Sequence, residues 1–348
     1  MFASLSLVSL IPIFVVAALA IWLAGIKLSQ TVDIIDRRFN LGEAIGGIIF
    51  LAFVTNLPEI SIVLSASLRN EVGIAIGNIL GGIAIQTVVL VILDLGLGRK
   101  AILTHESYSL QLVLEGVLVI IVLAIAMMGT QLPNSFIFMR IAPGDFLIVI
   151  AWLTGSWLIN KARTQLPWQR KKVVSDFDYP KHRRSLKTMN KKSTFAILFL
   201  FIFSSLITLL AGVVSEQSGS AIATKIGWTG VLFGSTILAA VTSLPEISTG
   251  LAAVKIGDFT LAISDIFGGN AFLPVLFLPA TLLSGESVLS NAQHSDIYLS
   301  CLGILLTCIY LYGLIFRSKR QIFWVGIDSM VVLVLYILGT IGLFMIAQ

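Results

Sequence analysis

Long apolar runs separated by short polar connections make up almost the whole chain. Each run is long enough to cross the hydrocarbon core of a bilayer, which takes about 20 helical residues. The pattern predicts ten membrane-spanning helices, at about 7–27, 42–67, 72–96, 108–130, 143–160, 194–214, 227–254, 258–283, 295–316 and 322–346. The first run lacks the preceding basic residues of a signal peptide, so we interpret it as helix 1. We expect an all-α polytopic membrane protein.

Composition agrees with this fold class. Of the 348 residues, 57% are hydrophobic and 12% are charged, whereas soluble globular chains have about 25% charged residues. Cys301 and Cys308 are seven residues apart, about 10 Å along a helix, which is too far for a disulfide. The three histidines are scattered and form no metal-ligand spacing. We expect no cofactor and no nucleic-acid partner, only membrane lipid and small ions.

Lysines and arginines predict the orientation. The connection at 161–193 holds eleven of the 23 basic residues of the chain, and cytoplasmic connections carry such an excess. With ten helices, the connections after helices 1, 3, 7 and 9 lie on the same side and hold nine more. Three basic residues remain for the other side: Arg69, Arg140 and Lys225. We expect a cytoplasmic loop at 161–193, both termini outside, and location in a prokaryotic plasma membrane.

One polar stretch occurs twice. Thr55-Asn56-Leu57-Pro58-Glu59-Ile60-Ser61 returns 187 residues later as Thr242-Ser243-Leu244-Pro245-Glu246-Ile247-Ser248, with six of seven residues identical. The same offset relates Gly77-Asn78-Ile79-Leu80-Gly81-Gly82 to Ser264-Asp265-Ile266-Phe267-Gly268-Gly269. The chain is therefore an internal duplication, with five helices in 1–160 and five in 194–348. Five is an odd number, so the second repeat is upside down relative to the first. Inverted repeats with interrupted helices are typical of secondary transporters.

The prolines predict breaks in helices 2 and 7. A proline inside a helix frees the carbonyl four residues back, here Val54 and Val241, and loosens its neighbours. Freed carbonyls at membrane depth need partners, and bound cations can supply them.

The two glutamates stand directly after these prolines. Inverted symmetry brings Glu59 and Glu246 face to face at the midplane. With hydroxyl or carbonyl oxygens of Thr55, Thr242 and Ser243 they can supply the six to eight hard oxygens that Ca²⁺ prefers. Two monovalent ions can neutralise the same pair. A deep glutamate costs about 2–3 kcal/mol on insertion scales, so two equivalent ones indicate function rather than a structural kink.

Other polar residues are weaker candidates. Asn78 and Asp265 occupy matched positions nineteen residues after each glutamate, where an interhelical hydrogen bond is the structural alternative. Glu115 lies inside helix 4 and has no acidic counterpart in the second repeat.

At these residues the sequence resembles the sodium/calcium exchanger family of the cation/Ca²⁺ exchanger superfamily. The resemblance covers the family's two alpha repeats, about 42–93 and 229–280. It implies an inverted five-plus-five fold that exchanges Ca²⁺ for Na⁺ by alternating access. The implied central Ca²⁺ ligands are Thr55, Glu59, Thr242 and Glu246. The implied flanking Na⁺ ligands are Ser243 and the carbonyls of Ala52 and Ala239, and Asn56 stands where the family usually has serine.

The sequence also departs from the family. Members carry Gly-Ser-Asn in helices 3 and 8, followed three residues later by Asn or Asp. The corresponding positions read Gly82-Ile83 with Gln86, and Gly269-Asn270 with Leu273. These changes leave proton coupling, or exchange of another divalent ion, as alternatives to Na⁺ coupling, and we expect a weaker Na⁺ dependence.

Other classes of protein fit less well. An intramembrane metalloprotease is disfavoured because His105-Glu106 is not followed by a second histidine at the required spacing. We therefore expect no enzymatic activity. A passive channel predicts ohmic current without exchange, and a non-transporting relic of the same fold would explain the lost polar positions.

Overall fold

The structure is a computed structural model that describes residues 2–39, 50, 52–107, 109–132, 142–165 and 193–347. The predicted start of helix 2 and most of the basic connection, 166–192, lie outside these residues. The described part is almost entirely helical. Its main helices are α1 Leu7–Phe39, α2 Leu57–Leu68, α3 Val72–Leu97, α4 Leu110–Thr130, α5 Pro143–Gln165, α6 Thr194–Ile226, α7 Gly230–Thr242, α8 Leu244–Lys255, α9 Phe259–Ser284, α10 His294–Phe316 and α11 Ile327–Ile346.

Several short elements join or interrupt these helices. A single helical turn, Leu103–Glu106, precedes α4, and the 3₁₀ turns are Phe2–Ser4, Gly98–Lys100 and Leu289–Asn291. α7 contains a π-helical turn at Gly234–Leu238, and α9 contains a 3₁₀ turn at Leu273–Leu276.

Two helices are longer than the sequence predicts. α1 and α6 have 33 residues each, about 50 Å of helix, and extend 12 residues beyond the predicted ends at 27 and 214. The apolar pattern becomes helically periodic there rather than stopping: Leu28, Val32 and Ile35 follow one another at helical spacing and are all buried. α1 and α6 pack along each other and flank the broken helices.

The helical path breaks next to both duplicated prolines. Asn56 forms a turn between the helical residues 52–55 and the start of α2, and Ser243 separates α7 from α8. α7 and α8 are bent by 41° relative to each other. Pro58 and Pro245 each lie within the first two residues of the following helix, where a missing N–H leaves no helical bond unmade.

Glycines let α3 and α7 approach closely. A Cβ added to Gly77 would lie 2.6 Å from the Val231 carbonyl oxygen, and one added to Gly81 would lie 2.2 Å from the Ser235 Cα. Small residues four apart allow this backbone contact in membrane helices. The contact fixes α3 beside the half of the broken helix that precedes Ser243.

A small β-hairpin precedes the last helix, which the sequence predicts to start at 322. Gln321–Ile322 pairs with Val325–Gly326, and α11 begins at Ile327. The two residues between the strands, Phe323 and Trp324, both have positive φ, as a tight hairpin turn requires. Such turns normally contain glycine or asparagine, so the two aromatic residues at this place did not predict a hairpin.

Seven of the described helices are long and apolar enough to cross a membrane, and counting α7 with α8 as one bent span gives eight. α2 is a shorter apolar helix, and α5 is not among the seven. The largest buried apolar cluster packs α1, α2, α3 and α4 against α6, α7 and α9.

Candidate functional site

The two duplicated glutamates occupy equivalent places in the fold. Glu59 lies in the first turn of α2 and Glu246 in the first turn of α8. A helix N-terminus carries partial positive charge, which favours a carboxylate there. Glu59 is fully buried, Glu246 is partly exposed, and the two are close enough for their charges to interact.

The carboxylate of Glu59 has few protein partners. Gln86 of α3 donates its side-chain amide to Glu59 Oε1 over 3.2 Å, and the Thr242 hydroxyl lies beside the same carboxylate. Glu59 Oε2 and the equivalent Oε2 of Glu246 are buried and accept no hydrogen bond from a described residue. No lysine or arginine pairs with either glutamate in the part of the chain that the structure describes. These oxygens are therefore available to a cation.

The residues before the two breaks are arranged in matching ways. The Asn56 amide donates to the Ala52 carbonyl over 2.8 Å, and the Ser243 hydroxyl donates to the Ala239 carbonyl over 2.8 Å. The hydroxyls of the neighbouring threonines approach the same carbonyls, at 3.4 Å for Thr55 and 3.2 Å for Thr242. A cation coordinated by either carbonyl would compete with these hydrogen bonds.

A narrow cleft reaches Glu246 from one side. Its cavity volume is about 20 Å³, which is room for about one water molecule or small ion. The lining comprises Gly25, Leu28, Ser29, Thr55, Pro58, Pro245, Glu246, Thr249 and Asp265. Five of these carry polar side chains that are partly exposed: Ser29, Thr55, Glu246, Thr249 and Asp265.

The corresponding residues of the other repeat are closed off. The positions 187 residues from the five polar cleft residues are Glu216, Thr242, Glu59, Ile62 and Asn78, and all five are 0% exposed. One of two related routes to the glutamates is thus open in this structure and the other is shut.

A polar cluster lies on the closed route. Glu216 accepts a hydrogen bond from the Ser65 hydroxyl over 2.6 Å and lies 3.9 Å from the Arg69 guanidinium. Glu71 lies 3.9 Å from Arg69 and accepts from Ser220. This cluster joins the end of α2 and the loop after it to α6.

The two long helices approach α8 and α2 through equivalent glycines. A Cβ added to Gly25 of α1 would lie 2.5 Å from Pro245 Cγ, and one added to Gly212 of α6 would collide with the Ser61 hydroxyl. Gly25 and Gly212 are also 187 residues apart. Trp22 adds a hydrogen bond to Ser248 over 2.7 Å, so α1 also contacts α8 beside the cleft.

The amide side chains that the sequence predicts as ligands differ in their contacts around Glu59 and Glu246. Asn56 and Gln86 are near each other, because a Cβ on Gly269 would lie 3.4 Å and 3.3 Å from their side-chain oxygens. Asn270 points instead to the Ile83 carbonyl and the Thr87 hydroxyl, where α3 and α9 cross. Asn78 is buried with both polar side-chain atoms unpaired among described residues, and no described contact links it to the glutamates.

Sequence reasoning missed some of the lining residues. Thr249 follows Glu246 by three residues on the same helix face and donates to Asp265 over 3.4 Å. Because its counterpart is Ile62, the duplication gave no signal for it. Glu115 accepts a hydrogen bond over 2.8 Å from the hydroxyl of Ser264, the residue that precedes Asp265.

The arrangement suits a hard cation that is bound and released. It offers carboxylate, hydroxyl, amide and carbonyl oxygens, and Ca²⁺ and Na⁺ both take oxygen ligands. Among the described residues, no three His, Cys, Asp or Glu side chains converge as a metal-holding group.

Comparison with known proteins gives a consistent result. The sequence model of the family described as sodium/calcium exchanger protein matches residues 9–160 and 195–345. The chain is 26% identical over 277 residues to inner membrane protein YrbG of Escherichia coli (strain K12), covering 79% of this chain and 80% of that protein. We therefore treat it as an integral membrane protein related to exchangers.

Two solved structures share the fold. The H⁺/Ca²⁺ exchanger CAX superposes with a TM-score of 0.67 at 11% identity, covering 97% of this chain and 87% of that chain. The sodium-calcium exchanger NCX_Mj superposes with a TM-score of 0.59 at 18% identity, covering 97% and 99%. Together with the match of the family model over most of the chain, these similarities show that the chain belongs to the sodium/calcium exchanger protein family.

Proposed function

We propose that this protein is a secondary active antiporter that moves Ca²⁺ across the membrane in exchange for Na⁺. The cations bind between Glu59 and Glu246, with Thr55, Thr242 and the residues around the two helix breaks as further ligands. The observation that carries this proposal is the pair of neighbouring glutamates, each with a buried oxygen that no described residue satisfies. Leaving such groups without a partner is costly at membrane depth, and a cation removes the cost.

We propose that the fold consists of ten membrane-spanning helices in two inverted five-helix repeats, with helices 2 and 7 broken at Pro58 and Pro245. The first repeat is 1–160 and the second is 194–348, with 161–193 as the cytoplasmic loop. The matching hydrogen bonds of Asn56 and Ser243 support the duplication, and so do the matching close contacts of Gly25 and Gly212 on the long helices.

Alternating access follows from the unequal routes. One route leads to Glu246 through the cleft, and its counterpart beside Glu59 is closed. If each repeat adopted the conformation that the other has in this structure, the second route would open and the first would close. The basic ends of several helices gather on the α8 side, where Arg99 lies 5.2 Å from the Trp324 ring centre and Arg317 donates to the His105 carbonyl. We infer that the cleft faces the cytoplasm.

Proton coupling is the second candidate. Leu273 is buried where the family carries Asn or Asp, and Gln86 is engaged with Glu59. Both features reduce the number of oxygens free for Na⁺. The fold is shared with the H⁺/Ca²⁺ exchanger CAX and with the sodium-calcium exchanger NCX_Mj, so either counter-ion fits it.

The test is uptake of radiolabelled Ca²⁺ into proteoliposomes that contain the purified protein. An outward Na⁺ gradient, an outward K⁺ gradient and an outward proton gradient are imposed separately, with the membrane potential clamped. Uptake driven by Na⁺ supports the main proposal, and uptake driven by protons alone replaces it with the second candidate.

Two results would contradict both candidates. Wild-type protein that takes up no Ca²⁺ under any of the three gradients is not a Ca²⁺ antiporter. A Ca²⁺ flux that follows the voltage and ignores all three gradients indicates a channel. Empty liposomes and liposomes with Glu59→Gln protein serve as controls.

A further inference from the structure

The two routes differ in chemistry as well as in exposure. On the open route, Thr249 and Asp265 stand next to Glu246, and the Thr249 hydroxyl donates to Asp265 Oδ2 over 3.4 Å. The residues at the same places on the closed route are Ile62 and Asn78, which carry no charge. The two repeats therefore share the glutamates but differ in the residues next to them on the way to the surface.

The acids on the open side form a row rather than a ring. Glu246 interacts with the charges of both Glu59 and Asp265. The three carboxylates nevertheless do not converge as one metal-holding group within the described chain. The row runs from buried Glu59 through Glu246, whose buried Oε2 is unsatisfied, to partly exposed Asp265. The cleft beside it has space for about one small ion.

We propose that Asp265 and Thr249, together with Glu246, form a loading position for the transported cation that exists on the cleft side only. This inference rests on the proposed function. A Ca²⁺ ion arriving through the cleft exchanges part of its hydration shell for the Asp265 carboxylate and the Thr249 hydroxyl. It then passes to the central pair of glutamates. Such oxygen ligands are the ones that Ca²⁺ takes in proteins.

The loading position makes the carrier kinetically unequal on its two sides. An acidic mouth with low-dielectric walls raises the local concentration of cations and their rate of association. The opposite route offers an amide and an apolar side chain at the matching places. The KM for Ca²⁺ is therefore lower on the cleft side than on the opposite side.

The closed route also contains acids, Glu216 and Glu71, which both lie in the cluster with Arg69. Glu216 is the counterpart of Ser29, but its carboxylate is held by the Ser65 hydroxyl and lies 3.9 Å from the Arg69 guanidinium. An arginine beside a carboxylate offsets part of its attraction for a cation. Glu216 also does not occupy the place of Asp265, whose counterpart is Asn78.

The experiment measures the KM for Ca²⁺ separately on each side of proteoliposomes. One orientation is silenced with an impermeant thiol reagent that reacts with a cysteine introduced at one face. Asp265→Asn should raise the KM on the cleft side about tenfold more than on the opposite side. Thr249→Ile, which copies the first repeat, should shift the same ratio less because the charge remains. Asn78→Asp should lower the KM on the opposite side.

These outcomes separate a loading position from a structural role. A variant that only loosens the fold slows exchange from both sides alike. Equal shifts on both sides for Asp265→Asn overturn the inference, and so does a Glu216→Gln variant that alters the opposite side as strongly as Asp265→Asn alters the cleft side. Such results leave Ca²⁺ exchange by the wild type intact. A wild type with no Ca²⁺ flux overturns the proposed function, and the loading position with it.

Discussion

The side-chain amide of Asn270 lies 3.4 Å from the carbonyl oxygen of Ile83, the residue 187 positions before it. A residue and its own duplicate come into contact only near the axis that relates the two copies. Glu59 and Glu246 are separated by the same offset and also interact with each other. Under the proposed arrangement of two inverted repeats, the glutamate pair lies close to that axis, where movements of the repeats would change both carboxylates together.

The first prediction concerns these two charges. Glu59→Gln and Glu246→Gln keep the side-chain volume but remove one of two negative charges facing a divalent ion. The Coulomb energy between a carboxylate and a directly bound divalent ion is several kcal/mol in a poorly solvated site. Each change alone should therefore lower Ca²⁺ exchange at least about a hundredfold. Membrane insertion should be normal, since an amide is less costly to bury than an ionised acid. Radiolabelled Ca²⁺ flux and expression levels measure the two effects.

Glu115→Gln is the matched control for the first prediction. Glu115 is buried and hydrogen-bonded to Gln111 and Ser264, but it lies outside the duplicated stretch. Its substitution should reduce exchange only mildly. Equal damage from Glu115→Gln and Glu59→Gln would show that the pair is not the sole centre of binding.

Part of this architecture can be predicted from the sequence because the duplicated motif is short and nearly identical in its two copies. The repeat of Thr-x-Leu-Pro-Glu contains Asn56 and Ser243, the two residues at which the helical path turns. The contact between Asn56 and Ala52 and that between Ser243 and Ala239 follow from the same spacing of four residues. The family likeness in these residues is confirmed by the match of the family model.

The remainder depends on packing that composition does not encode. The extensions of α1 and α6 carry polar residues such as Ser215 and Glu216, which the apolar pattern excludes, yet both are fully buried between helices. The duplication does not identify Thr249 as a site residue, because its counterpart, Ile62, is apolar. The choice of which route is open is a property of one conformation, so no sequence pattern indicates it.

The second prediction tests the close contact of α3 and α7. Gly81→Ala places a Cβ 2.2 Å from the Ser235 Cα, so the backbones must separate. Overpacking of this kind costs about 1–3 kcal/mol, and we expect a lower thermal unfolding temperature in detergent. Gly268→Ala is the control, because Gly268 is the duplicate position and has no described atom within 4 Å of an added Cβ. Equal melting temperatures for the two variants would contradict the contact.

The third prediction concerns the amide that holds Glu59. Gln86→Leu removes the donor at 3.2 Å from Glu59 Oε1 and copies Leu273 of the second repeat. A hydrogen bond to a charged group contributes about 1.5–3 kcal/mol, so we expect the KM for Ca²⁺ to rise about tenfold or more. Gln111→Leu removes a similar amide from Glu115 at 2.6 Å. That variant should transport with a KM near that of the wild type, and a comparable rise there would assign the effect to general destabilisation.

The fourth prediction tests the sides of the membrane. In a background with Cys301 and Cys308 replaced by alanine, Lys172→Cys should resist an impermeant thiol reagent in intact cells. A cysteine added after Gln348 should react. The reason is the excess of lysine and arginine in residues 161–193. Labelling of Lys172→Cys alone would reverse the assignment of sides and would place the cleft on the outer face, while the duplication would stand.

The fifth prediction explains why the protein exchanges rather than leaks. An unoccupied site contains two neighbouring carboxylates, Glu59 and Glu246, with no described basic partner. Moving a net charge of −2 through a closed and dehydrated state is prohibitively costly, whereas one Ca²⁺ or two monovalent cations neutralise the pair. Only loaded forms should therefore change sides. Transport in one direction should then require a cation on the other side.

The measurement is Ca²⁺ efflux from loaded proteoliposomes into a high-pH medium without Na⁺, K⁺ or Ca²⁺, with the membrane potential clamped. We expect efflux to be slow there and to accelerate when Ca²⁺ or the counter-ion is added outside. Because Gln86 and Leu273 reduce the oxygens available to Na⁺, acceleration by Na⁺ should be weaker than acceleration by external Ca²⁺. Rapid and sustained efflux into the cation-free medium would mean that the empty carrier returns freely. Charge neutralisation of Glu59 and Glu246 would then not be what couples the two fluxes.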